Sequence, residues 1–166
     1  MTAFDTISLI GMPAAGKSTV GVILAKQTGL RFVDTDLDIQ VREGATLQEI
    51  VDSRGHLYLR AVEHTVLMDV DLSHALISTG GSVVYSEDVM ARLKAAGPVV
   101  YLDADLATLE ARIALAPPRG IASDGGDSFA DVYAERTPLY RHYADLRVDA
   151  CAGTADQVAR TILDSL

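Results

Sequence analysis

A strand, a glycine-rich turn and a helix follow one another near the start of the chain, and they constrain the fold more than any other stretch. The apolar residues 7–10 are typical of a buried strand. They lead into residues 11–19, which fit G-x-x-x-x-G-K-[ST], and residues 20–26 have the character of a helix. Glycines let backbone N–H groups wrap an anion, and the helix N-terminus adds positive partial charge. The arrangement predicts a P-loop that binds the phosphates of a nucleoside triphosphate.

The residue types within this turn indicate how the phosphates would be held. Lys17 can reach the β- and γ-phosphates, and the Ser18 hydroxyl can ligate Mg²⁺. The motif predicts a nucleotide and Mg²⁺ as cofactors, without saying which reaction they serve. The candidate nucleotide contacts here are Gly11, Ala14, Ala15, Gly16, Lys17, Ser18 and Thr19.

Along the rest of the chain, short apolar runs alternate with helical patterns, which is typical of βαβ units around a parallel sheet. Thr46 and Glu49 have the spacing of a capping box, and Asp105 is a candidate cap for a helix over 106–114. The fold class predicted is α/β, a three-layer α/β/α P-loop sandwich with a five-stranded parallel sheet. The strands are predicted near residues 7–10, 30–33, 75–78, 98–102 and 146–148.

Length and charge limit the function classes. The 166 residues predict a single domain over 1–166, and the net charge of −9 argues against non-specific binding to nucleic acid or an anionic membrane. Only 5% of residues are aromatic and none is Trp, so stacking of bases is disfavoured as well. We find no apolar run of membrane length and no signal peptide. A single cysteine, Cys151, excludes an internal disulfide and favours a cytoplasmic setting.

Candidate acceptor residues lie after the predicted strands, where ligands bind in such sheets. Asp34 and Asp36 end the second strand, and a carboxylate there can hold a Mg²⁺-bound water or accept a hydrogen bond from a substrate hydroxyl. Arg60 and Arg136 lie on predicted helices. A guanidinium matches a carboxylate bidentately, although each arginine alone is more typical of a solvated surface. Gly80 and its neighbour Gly81 allow close backbone approach to a ligand.

A stretch from about 114 to 128 breaks the alternating pattern. It is rich in proline and glycine and lacks periodicity, which predicts a mobile loop that could act as a lid. Arg119 within it could swing over the phosphates and neutralise transition-state charge.

Taken together, these residues resemble the shikimate kinase family along essentially the whole chain. The P-loop matches, Asp34-Thr35-Asp36 stands for the family's Asp-Thr-Asp element, and residues 59–63 stand for Phe-Arg-x-x-Glu. Residues 135–140 carry its Glu-Arg-x-Pro-Leu-Tyr segment intact. The resemblance implies ATP as the phosphoryl donor, the strand order 2-3-1-4-5 and an acceptor-binding segment over about 34–63.

The resemblance also implies roles for single residues. Asp34 would act on the Mg²⁺ shell through water, and Asp36 would contact the acceptor hydroxyl. Arg60 and Arg136 would grip the substrate carboxylate. Arg112 would stack on adenine and the lid residue Arg119 would cover the phosphates. The implied catalytic residues are Lys17, Asp36 and Arg119, and the implied acceptor contacts are Asp36, Arg60, Gly80, Gly81, Ser82 and Arg136.

Three departures from the family pattern lie near the acceptor or the lid. Ser82 replaces the third glycine of Gly-Gly-Gly, Leu59 replaces an aromatic residue, and residues 119–122 read Arg-Gly-Ile-Ala instead of Arg-Pro-Leu-Leu. The predicted function is phosphorylation of shikimate to 3-phosphoshikimate by a cytoplasmic monomer. The alternatives are a kinase of another small hydroxy acid such as homoserine, and a nucleotide-binding P-loop sensor or pseudoenzyme.

Overall fold

Five parallel strands form the centre of the computed structural model, which describes residues 4–118, 120–121 and 126–166. They pair in the order β2-β3-β1-β4-β5, and every pairing is parallel. The α/β class and the predicted strand order are therefore confirmed. The strands are β1 (Thr6–Ile10), β2 (Arg31–Asp34), β3 (Ala75–Ser78), β4 (Val99–Asp103) and β5 (Leu146–Asp149).

The described residues also contain eight α-helices, most of which begin at a residue able to cap them. Thr46 caps its helix through a complete capping box with Glu49, and the Asp105 side chain accepts from the Thr108 N–H at 2.7 Å. One short 3₁₀ turn, Val83–Tyr85, was not predicted. The helices are α1 (Lys17–Thr28), α2 (Thr35–Glu43), α3 (Leu47–Arg54), α4 (His56–Asp69), α5 (Glu87–Ala96), α6 (Leu106–Ala114), α7 (Phe129–Tyr143) and α8 (Ala155–Ser165).

The main hydrophobic core surrounds the three inner strands. Strands β1 and β3 are buried over their whole length, as inner strands of a parallel sheet are, whereas the edge strands β2 and β5 are partly exposed. Helix α1 packs against β1, β2, β3 and α8, while α5 packs against β1 and α7 against β4. Two layers of helices thus cover the sheet, as the three-layer prediction requires.

A second, smaller hydrophobic cluster lies apart from the sheet. It joins helices α2, α3 and α4, which contact one another. Its buried members are Ile39, Ile50, Leu59, Val62 and Val66. The segment that the resemblance assigns to the acceptor therefore has a packed interior of its own. In the chain it lies between strands β2 and β3.

The predicted lid over about 114–128 lies partly outside the described residues, because these exclude 119 and 122–125. Its mobility stays a prediction, and so does the role of Arg119. Of the part that is described, Gly120 approaches the backbone of Leu47 at the start of α3 so closely that a Cβ would overlap it. Among the described residues, the helices are too short or too polar for any of them to cross a bilayer.

Candidate active site

The P-loop joins β1 to α1 through three residues with positive φ. Gly11 and Gly16 have φ of 151° and 98°, and Ala14, which carries a Cβ, has φ of 69°. Positive φ is unusual for alanine and marks a constrained backbone. The Ala15 N–H donates to the Met12 carbonyl at 3.1 Å, which closes the turn before the helix begins. The result is a compact loop at the N-terminus of α1, the geometry expected of an anion cradle.

Lys17 is buried and folds back over this loop. Its Nζ donates to the carbonyl of Gly11 at 2.8 Å and to that of Met12 at 2.9 Å. Burial lowers the pKa of Lys17 to about 8, and the carboxylates of Asp36 and Asp34 offset part of that effect. The ammonium is thus held at the loop by two backbone oxygens, and a charged phosphate oxygen would be a stronger acceptor than either of them.

Ser18 and Asp34 meet beside the P-loop, although their positions are far apart in the sequence. The Ser18 hydroxyl donates to Asp34 Oδ2 at 2.6 Å, and the other carboxylate oxygen accepts from the Asp36 N–H at 3.0 Å as the cap of α2. A hydroxyl and a carboxylate side by side supply the hard oxygen ligands that Mg²⁺ prefers. Among the residues that the structure describes, no cluster of three His, Cys, Asp or Glu side chains could hold a metal alone, so phosphate and water oxygens would complete the shell.

Asp36 and Glu63 converge on Gly80, at the end of β3. A Cβ built at Gly80 would overlap Glu63 Oε1, stand 2.9 Å from Glu63 Cδ and stand 3.2 Å from Asp36 Oδ1. Both carboxyl groups also line the cleft. Glycine at this position therefore lets two acidic side chains from α2 and α4 approach one point of the backbone.

Glu63 is a buried carboxyl group of the site. The residue is 5% exposed, and burial raises its pKa to about 7, while the hydrogen bond from Ser82 acts in the opposite direction. The Ser82 hydroxyl donates to Oε2, and Oε1 is buried with no hydrogen-bond partner in the described part of the chain. The departure from the family's third glycine thus places a hydroxyl on Glu63, an interaction that the sequence did not indicate.

Arg136 is 1% exposed, which contradicts the surface placement that is typical of a lone helical arginine. A Cβ at Gly81 would stand 2.9 Å from its Nη1 and 3.0 Å from Pro13 Cδ. The Tyr140 hydroxyl donates to the Gly81 carbonyl in the same place. A buried guanidinium therefore lies between the P-loop and the glycine pair, where an anionic ligand would be attracted most strongly.

Arg60 does not line the cleft itself. Its Cζ lies 4.2 Å from the centroid of the Tyr85 ring, and Arg136 Cζ lies 5.4 Å from the same centroid. The two predicted carboxylate-binding arginines, on α4 and α7, therefore contact one aromatic side chain. Tyr85 is the last residue of the 3₁₀ turn that follows the glycine segment, residues 80–82.

Arg112 reaches the P-loop from α6 on the other side of the cleft. Its Nη1 donates to the Ala14 carbonyl at 3.0 Å. Gly153 and the start of α8 also line the cleft. Arg112 is thus a guanidinium beside the predicted phosphate loop.

One cleft of about 720 Å³ brings together most of the predicted site residues. Gly11, Asp34 and Arg60 lie outside its lining, and Arg119 lies outside the described residues. The predicted residues that line the cleft are Ala14, Ala15, Gly16, Lys17, Ser18, Thr19, Asp36, Gly80, Gly81, Ser82, Arg112 and Arg136.

Sequence reasoning assigned no role to Glu63, although a signal was available. Leu59, Glu63 and Leu67 recur at intervals of four on the buried side of α4, and Val132, Arg136 and Tyr140 do so on α7. A charged residue within such an apolar stripe is expected to be buried and paired. The four-residue spacing therefore indicates burial for both Glu63 and Arg136. Tyr85 gives no comparable signal, because its partners come from two distant helices.

The sequence of the chain was compared with known proteins. The family model for shikimate kinase matches residues 13–166. Shikimate kinase 2 of Enterobacter sp. strain 638 is 36% identical over 165 residues, covering 96% of this chain and 94% of the relative. Shikimate kinase of Oleidesulfovibrio alaskensis is 37% identical over 167 residues, covering 95% of this chain and 97% of the relative.

Solved structures agree. Shikimate kinase of Acinetobacter baumannii, in complex with shikimate, superposes with a TM-score of 0.86 at 29% identity, covering 98% of this chain and 93% of that chain. Shikimate kinase of Aquifex aeolicus superposes with a TM-score of 0.78 at 30% identity, covering 96% of this chain and 94% of that chain.

Proposed function

The chain belongs to the shikimate kinase family, and on that premise we propose that it transfers the γ-phosphoryl group of ATP to a hydroxyl of shikimate, giving 3-phosphoshikimate and ADP. One observation carries the proposal. The buried cations Lys17 and Arg136 and the carboxylates Asp36 and Glu63 share a cleft with the P-loop. The two cations can attract two anions, the nucleotide phosphates and the carboxylate of a hydroxy acid. The acidic side chains can accept a hydrogen bond from the hydroxyl of that acid.

On the donor side, the P-loop N–H groups and Lys17 would bind the β- and γ-phosphates. Arg112 would support the adenine, since its guanidinium is already held at the Ala14 carbonyl beside the loop. Ser18 and Asp34 would hold Mg²⁺, directly and through water, because their oxygens already lie 2.6 Å apart. The ion, when bound, neutralises charge on the transferring phosphoryl group.

On the acceptor side, Asp36 would accept the hydrogen bond of the attacking hydroxyl and take its proton as the bond to phosphorus forms. Arg136 and Arg60 would bind the acceptor carboxylate and fix its orientation. Phosphoryl transfer depends on positioning and charge stabilisation rather than on a covalent intermediate with the protein. Arg119 would add positive charge over the phosphates when the lid closes.

The reaction balances without a further reactant. The hydroxyl oxygen forms a bond to the γ-phosphorus, and the bond to the bridging oxygen of ADP breaks. The hydroxyl proton passes to Asp36 and from there to solvent. Gly80 and Gly81 let Glu63 and Arg136 approach the backbone beside the cleft, because Cβ atoms there would overlap Glu63 and crowd Arg136.

A coupled ADP-release assay over shikimate, homoserine and other small hydroxy acids tests the proposal. We expect saturable turnover with shikimate and at least about a hundredfold lower kcat/KM with homoserine, whose shape cannot fill both sets of contacts. Absence of turnover with shikimate would refute the proposal. ATP consumption that no hydroxy acid stimulates would instead favour a sensor or pseudoenzyme.

We further propose that residues 1–166 act as one domain and as a cytoplasmic monomer without a nucleic-acid or membrane partner. The donor and acceptor residues of the proposed reaction all come from one chain, and the net charge of −9 repels polyanions. Size-exclusion chromatography with light scattering tests the monomer, for which the expected mass is 17.7 kDa. A dimer mass would contradict it.

A further inference from the structure

Tyr85 contacts both carboxylate-binding arginines without lining the cleft. The Cζ atoms of Arg60 and Arg136 lie 4.2 Å and 5.4 Å from its ring centroid. Arg136 Nε also donates to its hydroxyl oxygen at 3.4 Å. One side chain therefore touches two guanidinium groups that come from α4 and α7, helices on different parts of the chain.

The two arginines carry like charges, and their repulsion grows in the low dielectric of a buried site. The face of an aromatic ring carries negative partial charge and attracts guanidinium groups placed over it. The Tyr85 hydroxyl donates to Glu135 Oε1 at 2.6 Å, so a carboxylate lies on the far side of the hydroxyl from the ring. A charge-assisted bond of this kind enriches the ring in electron density and strengthens its attraction for cations.

The position of Tyr85 follows from the glycine segment. Val83–Tyr85 forms a 3₁₀ turn directly after Ser82, and helix α7 packs against this turn. The ring is thus attached to the same backbone that approaches the acceptor. Any shift of the turn would move Gly81 and the Arg136 support together.

We propose that Tyr85 is a positioning residue that holds Arg60 and Arg136 in place for the acceptor carboxylate before it binds. The inference rests on the proposed function, in which both arginines contact that carboxylate. Preorganised cations bind an anion more tightly because the cost of bringing them together is met during folding. The carboxylate is remote from the transferring phosphoryl group, so its contacts are made equally in the ground state and the transition state. Loss of Tyr85 therefore raises the acceptor KM and leaves kcat unchanged.

The kinetic test compares three variants with the wild type under saturating ATP. Tyr85→Leu removes the ring, and we expect about a tenfold rise in the acceptor KM, with kcat and the KM for ATP within about threefold. Tyr85→Phe keeps the ring and loses only the hydroxyl, so its KM should rise by less than about threefold. Tyr143→Leu is the matched control, since its ring contacts His142 and it does not line the cleft. Its KM should equal that of the wild type.

An acceptor KM that Tyr85→Leu leaves unchanged would overturn the inference. So would a rise of the same size in Tyr143→Leu, or a fall in kcat at constant KM. Absence of wild-type turnover on shikimate would count against the proposed function rather than against the contact.

A readout that needs no substrate tests the contact separately. Protons over an aromatic ring resonate upfield, so the guanidinium N–H signals of Arg60, whose Cζ lies 4.2 Å from the Tyr85 centroid, should be displaced upfield in the NMR spectrum of the full chain. The Nε–H of Arg136 donates to the Tyr85 hydroxyl, and this hydrogen bond should displace its signal downfield. Arg60→Lys and Arg136→Lys assign the signals, and Tyr85→Leu should return them to ordinary values. Undisplaced signals in the wild type would refute the inference even if shikimate is phosphorylated, and this spectrum decides the matter should Tyr85→Leu fail to fold.

Discussion

Replacing Glu63 by glutamine should change how the stability of the protein depends on pH. The Glu63 carboxyl is buried, accepts from the Ser82 hydroxyl, and has its pKa raised from 4.5 to about 7. In the unfolded chain the same group loses its proton near pH 4.5. Between these two values the folded state binds the extra proton, so the free energy of unfolding falls as pH rises.

The magnitude follows from the two pKa values. At about 1.36 kcal/mol for each pKa unit, the ionised form is disfavoured in the folded protein by roughly 3 kcal/mol. Glu63→Gln cannot ionise, and its amide oxygen can still accept from Ser82. The free energy of unfolding of the variant, measured against that of the wild type, should therefore rise by about 3 kcal/mol from roughly pH 4.5 to pH 7.5.

Urea unfolding followed by circular dichroism at several pH values between about 4.5 and 8 provides the measurement. Groups that titrate alike in both proteins cancel in the difference, which leaves the contribution of Glu63. Glu49→Gln is the control of opposite sign, because hydrogen bonds from Thr46 lower the pKa of that exposed carboxyl. Its stability contribution is present at neutral pH and is lost as pH falls.

A difference curve for Glu63→Gln that stays flat within about 0.5 kcal/mol across this range would refute the reasoning. It would mean that water or a cation reaches the carboxylate, so that burial no longer disfavours its charge. The catalytic cost is a separate measurement, since a group next to Asp36 is expected to affect acceptor binding as well.

Three further variants test the site. Lys17→Met should lower kcat by about a hundredfold or more with the fold intact by circular dichroism, because a cation on the phosphates is lost; near-normal turnover would remove Lys17 from the mechanism. Asp36→Asn should lower kcat by at least about a hundredfold and leave the KM for ATP unchanged, and a selective rise in that KM would place Asp36 on the donor side instead. Gly80→Ala should destabilise the protein by about 1–3 kcal/mol through overlap with Glu63, whereas Gly126→Ala, where a Cβ meets no described atom within 4 Å, should be neutral in the same thermal unfolding assay; equal effects would contradict the close approach.

The parts of the fold that the sequence predicted are those encoded locally. The strand that precedes the P-loop, the capping box at Thr46 and the Asp105 cap each depend on a few neighbouring residues, and the structure has them at the predicted places. The strand order came from resemblance rather than from any local pattern. The small cluster under helices α2 to α4 escaped prediction, since an apolar stripe does not say which of two cores it joins.

In the site, too, the features encoded by neighbouring residues were predicted, whereas those that join distant segments were not. The P-loop is contiguous, so its spacing alone predicted a loop and a helix N-terminus, which the structure has at that place. The contact of Ser82 with Glu63 and that of Tyr85 with Arg60 join distant segments, and side-chain patterns within one helix or strand carry no information about them. Arg136 is intermediate, because its helix periodicity indicates burial while its type suggests a surface.

The separate cluster beneath the acceptor side has a consequence for how such a chain can change over evolutionary time. Ile39 and Leu59 belong to this cluster and also line the cleft, whereas the sheet that carries the P-loop has a different core. Mutations at Ile39 and Leu59 would change the shape of the cleft beside the proposed acceptor residues while the core under the P-loop keeps its packing. Acceptor specificity could therefore change without loss of nucleotide binding, and libraries aimed at altered specificity should begin with these two positions.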